Sequence, residues 1–307
     1  MKLITICIPT FNQSKFLKRL LNQLTKYNPT NPIIISDNCS EDDTNKIVNS
    51  FKKKLKNLRY TRLKKNYGFD YNYQNCIKKV KTRYFWTIGS DDQIFSHSLK
   101  YIENLIKDLN YPDGITFLNK KKNNKNNLKR NIIKFDLFKH SNLLGNITLN
   151  IAQKKIYKIK TKVKKNFGYI QLYFAIKSII KNNNWFLILT NDIAKIEYFS
   201  LDKSNNKKNL DRLNKEIKGY NLHINKLFKN QKNLKNYRDL IFKKNIRTWI
   251  FQNLENSSKK EKIIETLNKN SIFLDASYQY KLIKISINLL PLLIIKKIIY
   301  LKRIIFN

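Results

Sequence analysis

"RYFWTIGSDDQI", residues 83 to 94, decides how the chain is read. Phe85, Trp86, Thr87 and Ile88 make a short apolar run that ends in a turn, which predicts a buried strand. The run stops at Gly89, Ser90 and two adjacent carboxylates, Asp91 and Asp92. Neighbouring like charges repel, so this pair needs either free solvation or a cationic partner.

Upstream the same grammar repeats. "LITICIP" (3–9) predicts a first strand, and Ser14 opens a helix with Leu17, Leu20, Leu21 and Leu24 on one face. "PIIIS" (32–36) is a second strand. Ser40, followed by Glu41, Asp42 and Asp43, reads as the N-cap of a helix with Ile47, Val48 and Phe51 inward. "LRYTRL" (58–63), the helix "DYNYQNCIKKV" (70–80), the strand at 84–88, a helix carrying Leu99, Ile102, Leu105, Ile106 and Leu109, and "GITFL" (114–118) complete the series. Strict alternation implies a parallel sheet covered by helices on both faces, whose ligands bind at the carboxyl ends of strands. Pro9 to Asn12, Asp37 to Ser40 and Ser90 to Asp92 each follow a strand and so share one rim.

Beyond residue 118 the pattern blurs. "NNWFLILT" (183–190) reads as one more strand, and residues 208–270 are charged and mostly helical. The end, "YKLIKISINLLPLLIIKKIIYLKRIIF" (280–306), is apolar but broken by Pro291 and punctuated by lysines. A transmembrane helix needs about 20 nearly uninterrupted apolar residues. This tail instead predicts a basic amphipathic segment on an anionic membrane surface, with a packed core helix as the other reading. The start, "MKLITICIPTFNQ", reads as a strand rather than a signal peptide.

Of 307 residues, 62 are Lys or Arg and 21 Asp or Glu, a net charge of +41. Such a surface draws anions of any kind: nucleic acid, lipid headgroups or phosphorylated small molecules. Compositional drift competes as a cause, since Lys and Asn fill even loops such as "NKKKNNKNNLKRN" (119–131). Because the lysines are spread through every loop rather than gathered on one groove, a nucleic-acid-binding protein is the alternative and not the first reading. Cys7, Cys39 and Cys76 are too dispersed for a zinc site or disulfide framework, which fits free thiols in a reducing cytosol.

Glycine occurs only at 68, 89, 114, 145, 168 and 219, so neither GxGxxG nor a P-loop is present. Dehydrogenases and ATPases of the usual kinds are thereby disfavoured. A parallel sheet that binds phosphates without a glycine-rich loop must use metal, and Asp91 and Asp92 suit Mg²⁺ or Mn²⁺. Those hard cations take one or two protein carboxylates and share the rest of their shell with phosphate oxygens.

"TICIPTFNQSKFLKRLLNQL", "IIISDNCSEDDT", "NYGFDYNYQNCI" and "RYFWTIGSDDQI", in that order, resemble the family 2 glycosyltransferases of the GT-A fold. The resemblance is close over residues 3–118 and looser to about 200. It implies an α/β, Rossmann-like and mostly parallel sheet in a GT-A domain over 1–200. Residues 1–118 would be the nucleotide-sugar half and 119–200 the acceptor half, followed by a mainly helical region over 201–307.

By position, the resemblance implies that Pro9, Thr10 and Asn12 line the nucleotide pocket. Asp37 would accept the imide N–H of a uracil or thymine base, and Asn66 and Gly68 would shape the loop beside base and ribose. Ser90, Asp91 and Asp92 match the family's DxD motif, with Ser90 in place of its first acid. Asp91 would lie by the ribose and Asp92 on a Mn²⁺ or Mg²⁺ bridging the diphosphate.

The reaction implied is inverting transfer of a sugar from a UDP- or dTDP-type donor to a hydroxyl of a glycan or lipid-linked acceptor in surface polysaccharide synthesis. The enzyme would sit peripherally on the cytoplasmic face of the membrane. The general base usual in such enzymes is missing from "KKNFGYIQLYFAIKSII" (164–180): Gln171 stands where an acid is expected, beside acceptor contacts, and an amide is no proton acceptor. Asp136 and His140 are the nearest titratable substitutes. That departure leaves a catalytically degenerate scaffold as a further alternative.

Overall fold

A computed structural model describes residues 2–118, 132–157, 169–190 and 193–196, and then 217–220, 227–228, 230–247, 250–251, 254, 260–270, 278–291 and 294–296. The basic loop 119–131, the stretch 164–168 before Gln171 and the tail residues 297–307 lie outside the described residues. The chain divides into two compact units, Met1–Asp136 with Leu143–Tyr198, and Leu137–Asn142 with Phe199–Asn307.

In the first unit, β1 (Ile4–Thr10), β2 (Ile33–Asp37) and β4 (Tyr84–Thr87) are buried at every residue. Both faces of each strand are covered, which is why each reads as an apolar run rather than an alternation. The covering helices are α1 (Ser14–Tyr27), α2 (Thr44–Lys52), α3 (Phe69–Lys78) and α4 (Ser98–Asp108). Leu17, Leu20, Leu21 and Leu24 of α1 are fully buried and join Ile4, Ile6, Ile8, Ile35, Trp86 and Ile102 in the core. Each such side chain contributes about 1.5–3 kcal/mol through burial.

Strand β3 (Leu58–Arg62) forms one edge beside β2, and four more strands extend the sheet beyond β4. They are β6 (Gly114–Leu118), β7 (Ile132–Lys134), β8 (Asn150–Gln153) and β9 (Trp185–Leu189), with β5 (Gln93–Ile94) and β10 (Ala194–Lys195) pairing separately. Sheet order is β3-β2-β1-β4-β8-β6-β9-β7. The parallel pairs β1–β2, β2–β3, β1–β4 and β6–β9 follow from the alternation. Antiparallel β8, inserted between β4 and β6, and the antiparallel edge strand β7 do not. Reversed β8 enters the sheet at the rim where β4 leaves it, a fact the site depends on.

Buried indoles find partners: Trp86 Nε1 donates to the Thr148 carbonyl at 2.8 Å and Trp185 Nε1 to Thr116 Oγ1 at 2.9 Å. Helix α6 (Ile170–Asn182) is fastened by Ser178 and Asn182, which donate to Asp113 just before β6, and its first N–H is capped from α3, where buried Asp70 accepts from Ile170 N at 3.1 Å.

The second unit is helical where described. It contains α5 (Leu137–His140), α7 (Gln231–Ile241), α8 (Lys260–Lys269) and α9 (Tyr278–Leu289). Tyr280 anchors α9 by stacking edge-on to Phe242 and donating to the Leu267 carbonyl. The face of α9 carrying Leu282, Ile285 and Leu289 is exposed at 47%, 53% and 76%. Among the described residues no helix is long and apolar enough to cross a membrane.

Candidate active site

Strands β2, β1 and β4 lie side by side, so the loops after them meet at one rim. Thr10 ends β1 opposite Asp37 of β2. Its carbonyl accepts from Asn38 N at 3.0 Å and Asn72 Nδ2 at 3.2 Å, and its hydroxyl donates to Ser90 Oγ at 3.4 Å. Ser90 in turn donates to Gln13. Pro9 is buried just inside the rim, and Phe11 stands 39% exposed on it. Asn12, with a left-handed φ of 50°, donates from its N–H to Ser40 Oγ at 2.9 Å and accepts Glu41 N at 2.8 Å. All three loops are thus linked through short polar side chains.

Asp37 is wholly buried, and both of its oxygens are engaged within the protein. Oδ1 accepts from Ser40 N at 2.9 Å and Ser40 Oγ at 2.6 Å, while Oδ2 accepts from Tyr60 OH at 2.6 Å with Arg62 Nε 3.7 Å away. Burial, the hydrogen bond to Asp37 and that carboxylate's charge push the Tyr60 phenol well up, so it stays a proton donor. The carboxylate therefore braces the 37–40 loop from beneath. An imide contact with a base would use the acceptor lobe that these three hydrogen bonds leave.

The same capture corrects the expected helix start: Ser40 is spent on Asp37, and α2 begins at Thr44. Asp42 supplies the side-chain acceptor there, taking Thr44 N at 3.1 Å and Ser14 N at 2.8 Å. Burial alone would raise the Asp42 carboxyl, but those donors and the Thr44 hydroxyl outweigh it and hold the pKa below the ordinary value.

Asn66 and Gly68 form the next wall. Asn66 Oδ1 accepts from Asn38 Nδ2 at 2.7 Å and Gly68 N at 2.8 Å, and Asn38 Oδ1 accepts Tyr67 N at 2.9 Å. Gly68 enters α3 at φ 82°, a conformation that favours glycine. Tyr67 and Tyr71, each about two-fifths exposed, stack with centroids 4.7 Å apart beside it.

After β4 the chain turns through Gly89, with Asp92 N bonded to the Gly89 carbonyl at 3.0 Å. Both carboxylates fold back over this glycine. A Cβ built on Gly89 would stand 2.8 Å from Asp92 Oδ2 and 2.9 Å from Asp91 Oδ1, so the two acids converge where any other residue would intrude. Asp92 is 6% exposed and takes a hydrogen bond from Thr148, which precedes β8; the Asp91 carbonyl accepts from Arg19 of α1. Among the described residues no three His, Cys, Asp or Glu side chains gather to hold a metal by themselves. The convergent pair nevertheless fits a hard cation that completes its shell with phosphate and water oxygens. Arg19, Tyr60 and Thr148 carried no local signal in the sequence, because each acts on a loop far from it along the chain.

The remaining candidates separate. Gln171, in the first turn of α6, donates to the Gly145 carbonyl at 3.1 Å, which ties it to the 145–148 loop, and its Oε1 is buried without a partner. Asp136 follows β7, four strands from β4, and leaves the sheet beside the start of β9, at the rim opposite the acid pair. Four strand spacings of about 4.8 Å place it about 19 Å away across the sheet, so the topology does not bring it to Asp92. His140 ends α5, in the other compact unit.

Residues 5–180 match the family model for Glycosyl transferase family 2. The chain is 33% identical over 105 residues to abequosyltransferase RfbV of Salmonella typhimurium, covering 33% of this chain and 32% of that protein. It is 32% identical over 100 residues to poly(ribitol-phosphate) β-N-acetylglucosaminyltransferase TarS of Staphylococcus aureus, covering 31% of this chain and 17% of TarS. The matched stretch thus spans a third or less of these curated relatives. Among solved structures, S. aureus TarS 1–349 in complex with UDP-GlcNAc superposes with a TM-score of 0.62 at 18% identity, over 90% of this chain and 81% of that one. Mannosyltransferase PcManGT of Pyrobaculum calidifontis, in complex with GDP-Man and Mn²⁺, gives 0.60 at 9% identity, over 96% and 86%. At such identities the structural likeness speaks for the fold.

Proposed function

As the chain belongs to glycosyl transferase family 2, we propose that it transfers a sugar, with inversion, from a nucleoside diphosphate donor of UDP or dTDP type to a hydroxyl of a glycan or lipid-linked acceptor. The observation that carries this reading is the convergence of Asp91 and Asp92 over Gly89, in a loop joined through Ser90 to Thr10 and through Asn12 to Ser40. Pro9, Thr10 and Asn12 border the nucleotide, with exposed Phe11 offering a face to the base. Asn66 and Gly68 close its side, and Asp37 serves by holding the loop in place. Asp91 lies toward the ribose and Asp92 holds Mn²⁺ or Mg²⁺. When bound, such an ion neutralises the charge that grows on the departing diphosphate. Gln171 belongs with the acceptor loop through Gly145, where its amide orients rather than deprotonates. The name of TarS, a poly(ribitol-phosphate) transferase, favours a polymer as acceptor.

The test is thermal unfolding with UDP-, dTDP- and GDP-sugars, with and without Mn²⁺. A single nucleotide class should stabilise the protein by about 2.7 kcal/mol at about 100 times its Kd, and only when Mn²⁺ is present. Absence of any shift would favour the non-catalytic scaffold.

Placement on an anionic membrane face belongs to the same proposal. Leu282, Ile285 and Leu289 recur on one exposed stripe of α9, with Lys281 and Lys284 beside them. A second copy would set one +41 chain against another, whereas anionic headgroups attract each nearby lysine by about 1 kcal/mol. The protein should sediment with phosphatidylglycerol vesicles and be released by salt. Serine at all three positions should weaken that binding at least tenfold; equal sedimentation with neutral vesicles would contradict it.

A further inference from the structure

Thr148 lies outside every motif, yet its polar groups are all directed. It is fully buried, its N–H donates to Asn146 Oδ1 at 3.0 Å and its carbonyl receives the Trp86 indole at 2.8 Å. Its hydroxyl accepts from Gly89 N at 2.9 Å and donates to Asp92 Oδ2. A hydroxyl has one proton. With the Gly89 N–H occupying an acceptor lobe and the backbone fixed at both ends, that proton has one direction left, toward the carboxylate. The same Oδ2 is the oxygen that stands closest to where a Cβ on Gly89 would lie.

We propose that Thr148 is a positioning residue: it sets the plane of the Asp92 carboxylate and so the oxygen geometry offered to the divalent cation. This rests on the reading of Asp92 as metal ligand. It assigns to the loop leading into antiparallel β8 a share in the metal site, although that loop supplies no ligand. Partners of this outer kind typically alter metal affinity by about 10–100-fold when removed. The physical reason is that, without this donor, more orientations open to the carboxylate, of which few are productive.

The experiment titrates Mn²⁺ at saturating UDP and follows the nucleotide-dependent rise in melting temperature. Thr148→Val keeps the shape of the side chain and deletes the hydroxyl. It should raise the half-saturating Mn²⁺ concentration about 10–100-fold while leaving the plateau near that of the wild type. Thr148→Ser, which keeps the hydroxyl, should stay within about threefold of wild type.

An unchanged Mn²⁺ midpoint in Thr148→Val, beside an Asp92→Ala protein that has lost the Mn²⁺ response, would overturn the proposal alone. A wild-type Mn²⁺ response in Asp92→Ala would overturn the metal reading and the proposal together. If the valine variant does not fold, the serine variant decides: a folded Thr148→Ser whose midpoint moves tenfold or more is incompatible with the hydroxyl being what matters.

Discussion

Asp92→Ala should abolish Mn²⁺-dependent nucleotide binding and lower sugar transfer about a thousandfold or more, equivalent to about 4 kcal/mol of transition-state stabilisation. The size of the effect follows from where the carboxylate sits. It is 6% exposed, fastened by Thr148 and folded over Gly89, so its oxygens are held in place where a cation would meet them. Stability should change far less. The lost partner leaves one buried hydroxyl proton unsatisfied, at a cost of about 1–3 kcal/mol, within a sheet whose core is untouched. Melting temperature and transfer rate measured on one preparation separate the two effects. A variant retaining a tenth of wild-type turnover would remove Asp92 from the chemistry.

Asp37→Ala should show the opposite profile. Its carboxylate answers the Ser40 N–H, the Ser40 hydroxyl, the Tyr60 phenol and the Arg62 guanidinium, all beneath the rim. Deleting it strands the two Ser40 donors and the Tyr60 phenol, and urea unfolding should register a loss of about 3–5 kcal/mol. Nucleotide affinity should fall as a consequence of the disordered 37–40 loop. Tyr60→Phe, which removes one donor and leaves the carboxylate, should cost about 1 kcal/mol. Were Asp37 chiefly a reader of the base, its alanine variant would instead fold with nearly native stability and discriminate poorly between UDP and other nucleotides.

The first half of the sheet was legible because strands buried on both faces leave an unbroken apolar run, as in "TICIP" and "YFWTI", and because the leucines of α1 keep helical spacing. Strand β8 was not: "NIAQ" is four residues long, without alternation, and owes its place to the edges of β4 and β6 that it bridges. The three rim loops were legible as strand ends, but the work of individual side chains was not. Ser40 carries the signature of a helix cap and is instead taken by Asp37, whose other partners arrive from β3. Asp136 lies close to the 145–148 loop in sequence, and a strand reversal carries it to the far rim. Local pattern reports periodicity and capping; it does not report which distant loop a polar group will meet.

The reversed course of β8 also fixes when this centre can come into being. Thr148 follows Asp92 by 56 residues, and its backbone is locked only once β8 has slotted between β4 and β6. A nascent chain still short of that strand would carry both acids, yet they would lack their clasp. The clasp is thus a property of the joined sheet rather than of the segment that bears the charges.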